Sequence, residues 1–316
     1  MSTSGATTFN LDLNNLVEEA FERCGSQLRS GYDLRTARRS LNLLTIEWAN
    51  RGINLWTIEQ GQVNLVTGQC LYPIPDDTID LLDTVVRQNN GSASNQIDIN
   101  ISRISESTYL TIPNKLTTGR PIQVWINRQT AQINTTTVTL TAAINTTDTT
   151  MNVSDSSQLA SSGFIKIDSE TIGYSNVLPL PTSTYPNGGQ LINCYRAQNG
   201  TVAASHSAAA VISTQNLNSI SVWPAPDAGG APYTFIYWRM RRIQDAGNGA
   251  TEQDIPFRLL PCMVAGLAFY MGQKIPEAQP RLQFLKQEYE EQWLMASTED
   301  RDKASLRLVP RSLFYA

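Results

Sequence analysis

LLTIEWANRGINLWTIEQGQVNLVTGQCLYPIPDDTIDLLD, residues 43–83, changes its hydrophobic period partway along. Up to Ala49 the apolar residues keep helical spacing. Ala37, Leu41, Leu44, Ile46 and Trp48 form the apolar side of a helix over 34–49, with Asp33 as its cap and Gly52 as its end. Beyond Gly52 the period falls towards two. Ile53–Leu55–Trp56–Ile58 and Val63–Leu65 read as strands punctuated by Gly61 and Gly68. Tyr72-Pro73-Ile74-Pro75-Asp76-Asp77 reads as an extended run entering a turn, and Asp80 to Arg87, apolar on both sides, as a buried strand. Helix followed by strands in one continuous stretch predicts an α+β chain rather than an alternating α/β one.

Towards the N-terminus, Leu13, Leu16, Val17, Ala20, Phe21, Cys24 and Leu28 predict a helix over 11–29, capped by Asp12 or Asn10 and ended by Gly31. With the second helix it should form an antiparallel pair. Towards the C-terminus, Ile97, Ile99 and Ile101 alternate, Ser105 to Tyr109 suits a short helical turn, and Ile122, Val124 and Ile126 alternate again. From 135 to 213 the composition shifts to Thr, Ser, Ala and Asn. Lys166 and Arg196 are the only Lys or Arg there, and short alternating runs recur at 138–140, 151–153, 165–167 and 172–174. This reads as an inserted all-β module. Strands at 220–223 and 233–240 then resume the earlier style, with Thr234, Ile236 and Trp238 on one face and Phe235 and Tyr237 on the other. Helices over 256–272 and 280–296 follow. The expected organisation is a discontinuous domain of helices and sheet (1–134 and 214–299), the module (135–213) and an extended arm (300–316).

The 316 residues carry a formal charge of −4, and only 16% are charged against 41% hydrophobic. That leaves ample material for a core, under a surface that is polar but weakly charged, as suits β-rich or assembled proteins. Bulk electrostatics exclude a general DNA binder, although a channel through which DNA slides must not grip it. No apolar run approaches the ~20 residues that span a bilayer, so no membrane partner is expected. MSTSGATTFNLDL does not read as a secretion signal. Cys24, Cys70, Cys194 and Cys262 are widely spaced and read as free buried thiols of a reducing cytoplasm.

No catalytic or cofactor chemistry is visible, and the expectation is a protein without enzymatic activity, cofactor or metal. The one histidine, His206, lies among small residues of the module and reads as a packing or turn residue. Neither GxxxxGK[ST] nor GxGxxG occurs. Asp76/Asp77 reads as a turn and Glu290/Glu291 as a solvated helix face. Asp168 and Glu170 read as exposed strand carboxylates, with a cation or sugar site as the sharper alternative. Arg35, Arg38 and Arg39 share a helix face, which is either an ordinary polar face or a contact to DNA backbone or an acidic partner ring. Arg239, Arg241 and Arg242 follow a strong strand; Arg239 and Arg241 share a face and suit ion pairs with Asp245 or Glu252. The last stretch interleaves Arg301, Lys303, Arg307 and Arg311 with Leu306, Leu308, Val309, Leu313, Phe314 and Tyr315. So many large apolar residues suit an arm that docks on something better than a solvated tail.

The order of these elements resembles a known family. The carriers are Trp48, Gly52, Leu55 and Trp56, the Gly68…Tyr72…Pro75 turn, and Trp223-Pro224-Ala225-Pro226-Asp227 ahead of a Tyr/Trp-rich strand. Together they resemble the head-to-tail adaptor, tubular tail protein A-like, of podovirus-type tailed phages. Gly163, Ile167, Glu170, Ile172, Tyr174, Arg196, Gly200, Thr201 and His206 are similar to a small β-module of phage tail and adaptor proteins. The resemblance implies a virion protein at the head–tail junction, made in the host cytoplasm. It implies a homo-oligomeric ring of twelve subunits beneath the portal protein, a tail nozzle protein on the far side, and double-stranded DNA passing through the lumen without sequence specificity. The arm would then dock on the portal through Arg307, Arg311, Leu313, Phe314 and Tyr315, with Arg35, Arg38 and Arg39 as candidate DNA or ring contacts. The module, which the minimal family lacks, suits a decoration or a docking surface for tail fibres or the nozzle. The competing expectation is a peripheral tail component whose module binds a receptor, carbohydrate or fibre.

Overall fold

The computed structural model describes residues 5, 8–28, 31–227 and 232–301. Two helices open it, α1 (Leu13–Cys24) and α2 (Gly31–Arg51). Strands β1 (Ile58–Asn64), β2 (Leu71–Pro73), β3 (Thr78–Gln88), β4 (Ile97–Asn100) and β5 (Ser102–Arg103) follow. After the short helix α3 (Glu106–Leu110) come β6 (Thr118–Gly119) and β7 (Gln123–Asn127). The module holds β8 (Gln132–Thr139), β9 (Met151–Val153), β10 (Gly163–Ile167), β11 (Glu170–Pro179), β12 (Gly189–Tyr195) and β13 (Val211–Asn216). Then β14 (Ser219–Trp223), β15 (Ala225–Pro226) and β16 (Tyr233–Arg241) lead to α4 (Leu260–Gly272) and α5 (Leu282–Glu299). The architecture is α+β, with helices and largely antiparallel sheets. The expected arm lies, from residue 302 on, outside the described residues.

The compact units are Met1–Ile58 with Arg242–Ala316, and Glu59–Arg241. The sequence grouped the helices with the flanking sheets in one discontinuous domain. The helices instead bury their apolar sides against one another and form a core of their own.

In the helical unit α4 is the centre. It is buried almost all round, between α1, α2 and α5. Gly266 lets the neighbours close in, since a Cβ there would stand 2.9 Å from both Leu44 and Tyr289 side-chain atoms. Trp48 packs at 6.1 Å from Trp293 and donates its indole N–H to Tyr289 Oη at 3.2 Å. Asp12 caps α1 by accepting from the Asn15 N–H. The helix stops earlier than expected, because Gly25 takes the left-handed conformation (φ 77°) that closes it at Cys24. Two further expectations fail here. Ile46, placed on the apolar side of α2, is 44% exposed. The run 53–58 does not start as a strand but holds a 3-10 turn, Leu55–Thr57. The buried Asp300 carboxylate accepts from the Asn54 and Leu55 N–H groups, and Thr57 Oγ1 donates to Asn54 O, so the chain bends before β1 begins.

In the second unit, sheets β1-β16-β3-β4 and β2-β14-β7-β5 enclose an apolar core that includes Tyr72, Leu81, Val86, Val124, Ile220 and Phe235. β3 is not buried on both faces, because Ile79 and Leu82 are exposed. Between Arg239↔Leu81 and Tyr237↔Thr84 the strand carries one residue more than β16. This bulge switches the inward side, so that Leu81 and Val86 both enter the core despite their odd spacing. Gly61 is not a break either. It sits inside β1 under the Tyr237 ring, where a Cβ would be 2.4 Å from Cζ.

The module is a six-stranded antiparallel sheet, β8-β13-β10-β11-β12-β9, with a separate core around Ile165, Ile167, Ile172, Tyr174 and Leu191. β13 pairs with β8 so that Asn216 lies opposite Gln132, and β14 pairs with β7 so that Ser219 lies opposite Asn127. The chain therefore leaves and re-enters the flanking sheet across one rung.

Candidate assembly interface

The outer stripe of α2 runs Tyr32, Arg35, Arg39, Leu43, Ile46 at spacings of three and four, with Arg38 beside it. Arg35, Arg38 and Arg39 are brought together, as the sequence expected, lining one shallow concavity with Tyr32 and Asn42. All three are exposed. Arg38 Nε donates to Ala246 O at 2.8 Å, and Arg39 reaches Thr36 Oγ1 at 3.4 Å. No ion pair forms between any of the three and a carboxylate among the described residues. Nearby, Lys274 donates to Ser40 Oγ; burial and then the Arg39 charge lower its pKa.

Two other arginines of the unit are spent on intramolecular pairs, whereas Arg258 and Arg281 form no ion pair among the described residues. Arg23 bridges Glu19 (3.0 Å) and Glu288 (2.6 Å). Arg51 bridges Glu47 (3.1 Å) and Glu290 (2.9 Å) while its guanidinium lies 3.9 Å from the Trp293 ring centroid. The sequence reading overlooked Glu18 and Glu22 on α1. Their signal was a four-residue repeat on the face opposite Leu13, Leu16 and Val17. Both are exposed and edge a groove between α1 and α4 of about 870 Å³, whose walls include Phe9, Leu11, Phe257, Leu260 and Val264. Further apolar side chains stand exposed on α5: Phe284, Leu294 and Met295. The proposed docking residues Arg307, Arg311, Leu313, Phe314 and Tyr315 lie outside the described residues.

In the second unit, Arg239 pairs with Asp77 and Glu59, each at 2.5 Å, and Arg241 with Glu59 at 3.5 Å, in place of the expected Asp245 or Glu252. In the helical unit, Arg242 pairs with Asp245 at 2.5 Å. Asp76 and Asp77 form the expected turn. All four cysteines are free and buried; burial pushes Cys24 up to about 11 and Cys194 and Cys262 up to about 12.

Inside the module the reading of Asp168 and Glu170 as exposed strand carboxylates is overturned for Glu170, which is fully buried. The strand reverses between the two, since Ile167 pairs with Glu170 across a two-residue turn and Asp168 is left-handed (φ 51°). Glu170 accepts from Arg196 Nε (2.8 Å) and Nη2 (2.7 Å), the Ala197 and Ala204 N–H groups, and His206 Nε2 (2.9 Å). The other ring nitrogen of His206 lies 2.8 Å from Asp168 Oδ2. Burial alone would raise the Glu170 carboxyl; the Arg196 guanidinium, these N–H groups and His206 outweigh it and hold it down to about 2. Five donors saturate the carboxylate, so the cluster ties the 196–206 loop to the turn and has no free acceptor for proton abstraction.

Where the module meets sheet β2-β14-β7-β5, a cleft of about 420 Å³ is lined by Tyr109, Trp125, Lys115, Gln129, Phe164 and Gln215, among others. Tyr109 stacks on Trp125 at 5.0 Å, with Lys115 Nζ 5.4 Å from the Tyr109 ring centroid. Among the described residues no group of three or more His, Cys, Asp or Glu could hold a metal ion, and no helix is long and apolar enough to cross a membrane. No protein-family model and no curated protein matches the chain.

Proposed function

We propose that the chain is a structural ring adaptor of a tailed phage, joining the portal of the head to the tail nozzle, with DNA passing through its lumen. The observation that carries this reading is the outer surface of the helical unit. Its helices have a well-packed interior, yet α2 and α5 hold large apolar side chains out to solvent, and on α2 these stand beside Arg35, Arg38 and Arg39, which have no carboxylate partner among the described residues. A surface of that kind suits burial in an assembly. The resemblance supplies the class of partner: eleven further copies in the ring, the portal above and the nozzle below. The part is mechanical, without substrate or cofactor.

The test is the mass of the complex when the purified chain is mixed with portal-bearing heads, read by sedimentation and native mass spectrometry. Stoichiometric loading on the portal is expected. A chain that stays monomeric and ignores the portal refutes the reading. The cleft where the module meets the flanking sheet, with Tyr109 and Trp125 on the sheet side, favours the second reading, a peripheral tail component whose module binds a receptor, carbohydrate or tail fibre. Retention of the chain on host-surface polysaccharide, lost with Trp125→Ala, would favour it.

A further inference from the structure

The helical unit pairs its charges readily, through Arg23, Arg51 and Arg242. Two rows escape. On α1, Glu18 and Glu22 stand one turn apart on the exposed face, and no ion pair joins either to an arginine or lysine among the described residues. On α2, Arg35 and Arg39 stand one turn apart on the exposed face, equally without an acidic partner. Each row borders apolar surface that water covers. Beside the glutamates, Phe9 and Phe257 are 76% and 73% exposed along the α1–α4 groove. Beside the arginines, Tyr32 and Leu43 are 64% and 54% exposed. The two concavities share no lining residue.

We infer that the Tyr32–Arg35–Arg39–Leu43 stripe of α2 docks into the α1–α4 groove of a second copy of this chain, with Arg35 and Arg39 meeting Glu18 and Glu22. Opposite charge at the edges and apolar side chains at the centre is the arrangement of a specific interface. The Glu18–Glu22 row repels a second acidic row and the Arg35–Arg39 row a second basic one, which disfavours contact between like faces even though Arg23 and Arg258 also line the groove. A contact between two different faces leaves one of each unused at the ends of any chain of subunits. Addition then continues until the ring closes. The inference rests on the ring reading and names its contact. The stripe is also basic enough to touch phosphate, and the test separates that outcome.

The experiment compares the full-length wild type with R35E/R39E and E18R/E22R by sedimentation velocity and native mass spectrometry. Each is examined alone and on portal-bearing heads, at low and high salt. Wild type should assemble beyond a dimer, more weakly at high salt. Each double variant should weaken assembly by at least about tenfold. An equimolar mixture of the two should regain it, because the acidic stripe of one meets the basic groove of the other, and this recovery also shows that both fold. If wild type assembles and both variants assemble equally well, the interface is wrong and the ring reading survives. If wild type is monomeric alone and on heads, the ring reading fails and the interface with it. If R35E/R39E loses retention of duplex DNA while its assembly mass is unchanged, the stripe serves DNA and the inference is overturned.

Discussion

Replacing Glu170 with Gln should unfasten the module while leaving the helical unit intact. The carboxylate is fully buried and takes five hydrogen bonds, two of them from an Arg196 side chain that is itself 8% exposed. An amide brings its own N–H hydrogens against these donors and strips Arg196 of its counter-charge. Breaking a buried pair from one side costs about 3–5 kcal/mol. The protonation equilibrium gives a similar figure. A carboxyl held at about 2 instead of an ordinary 4.5 contributes roughly 3 kcal/mol. Because the folded pKa is depressed, that contribution is present above about pH 4.5 and is lost as the pH falls towards 2. Hydrogen exchange of the full-length chain reads this locally. Amides of β10, β11 and β13 in E170Q should exchange on the order of 100-fold faster than in wild type, and wild type should approach the variant between pH 4.5 and 2. Asp168→Asn, at an exposed carboxylate, should stay within about 1 kcal/mol of wild type. Protection within threefold of wild type in E170Q, or no acid response, would refute the claim that this cluster fastens the loop.

Gly61→Ala should destabilise the second unit by about 1–3 kcal/mol in urea denaturation, since its Cβ would stand 2.4 Å from Tyr237; adding Tyr237→Leu should lower the cost of the alanine, and additive costs would rule out the contact as its cause. Asp300→Ala should lower helical-unit stability by about 1–3 kcal/mol, because the Asn54 and Leu55 N–H groups lose their acceptor; an unchanged thermal midpoint would count against that role. The four buried thiols should resist a thiol reagent at pH 8 in the native chain and all react in denaturant; rapid native reaction would show that one is accessible.

The helices were legible because their apolar residues follow one period and their ends carry ordinary signals, such as Asp12 and Gly52. Arg35, Arg38 and Arg39 were legible as a group for the same reason: on a helix, spacing alone fixes a shared face. Sequence reading failed where tertiary contacts override local rhythm. Leu81 and Leu82 look equivalent until the bulge decides which turns inward. Gly61 looks like punctuation until Tyr237 is seen lying across it. Asp168 and Glu170 look like one exposed face until the hairpin reverses between them. The Glu18–Glu22 row was overlooked because acidic residues on a helix surface mean little until Arg23 and Arg51 are seen to be paired elsewhere.

The rung that joins Asn127 to Ser219 makes the module a detachable part. With exit and return already side by side, a short glycine-containing turn in place of residues 129–217 would reconnect β7 to β14 without altering their register, and so short a closure costs little chain entropy. The same position is a socket into which an unrelated domain with neighbouring termini can be spliced. What excision would expose is small. Phe164 leans on Cys70, Leu71 and Ala225, so a trimmed chain needs a polar replacement at Leu71 to stay free of self-adhesion.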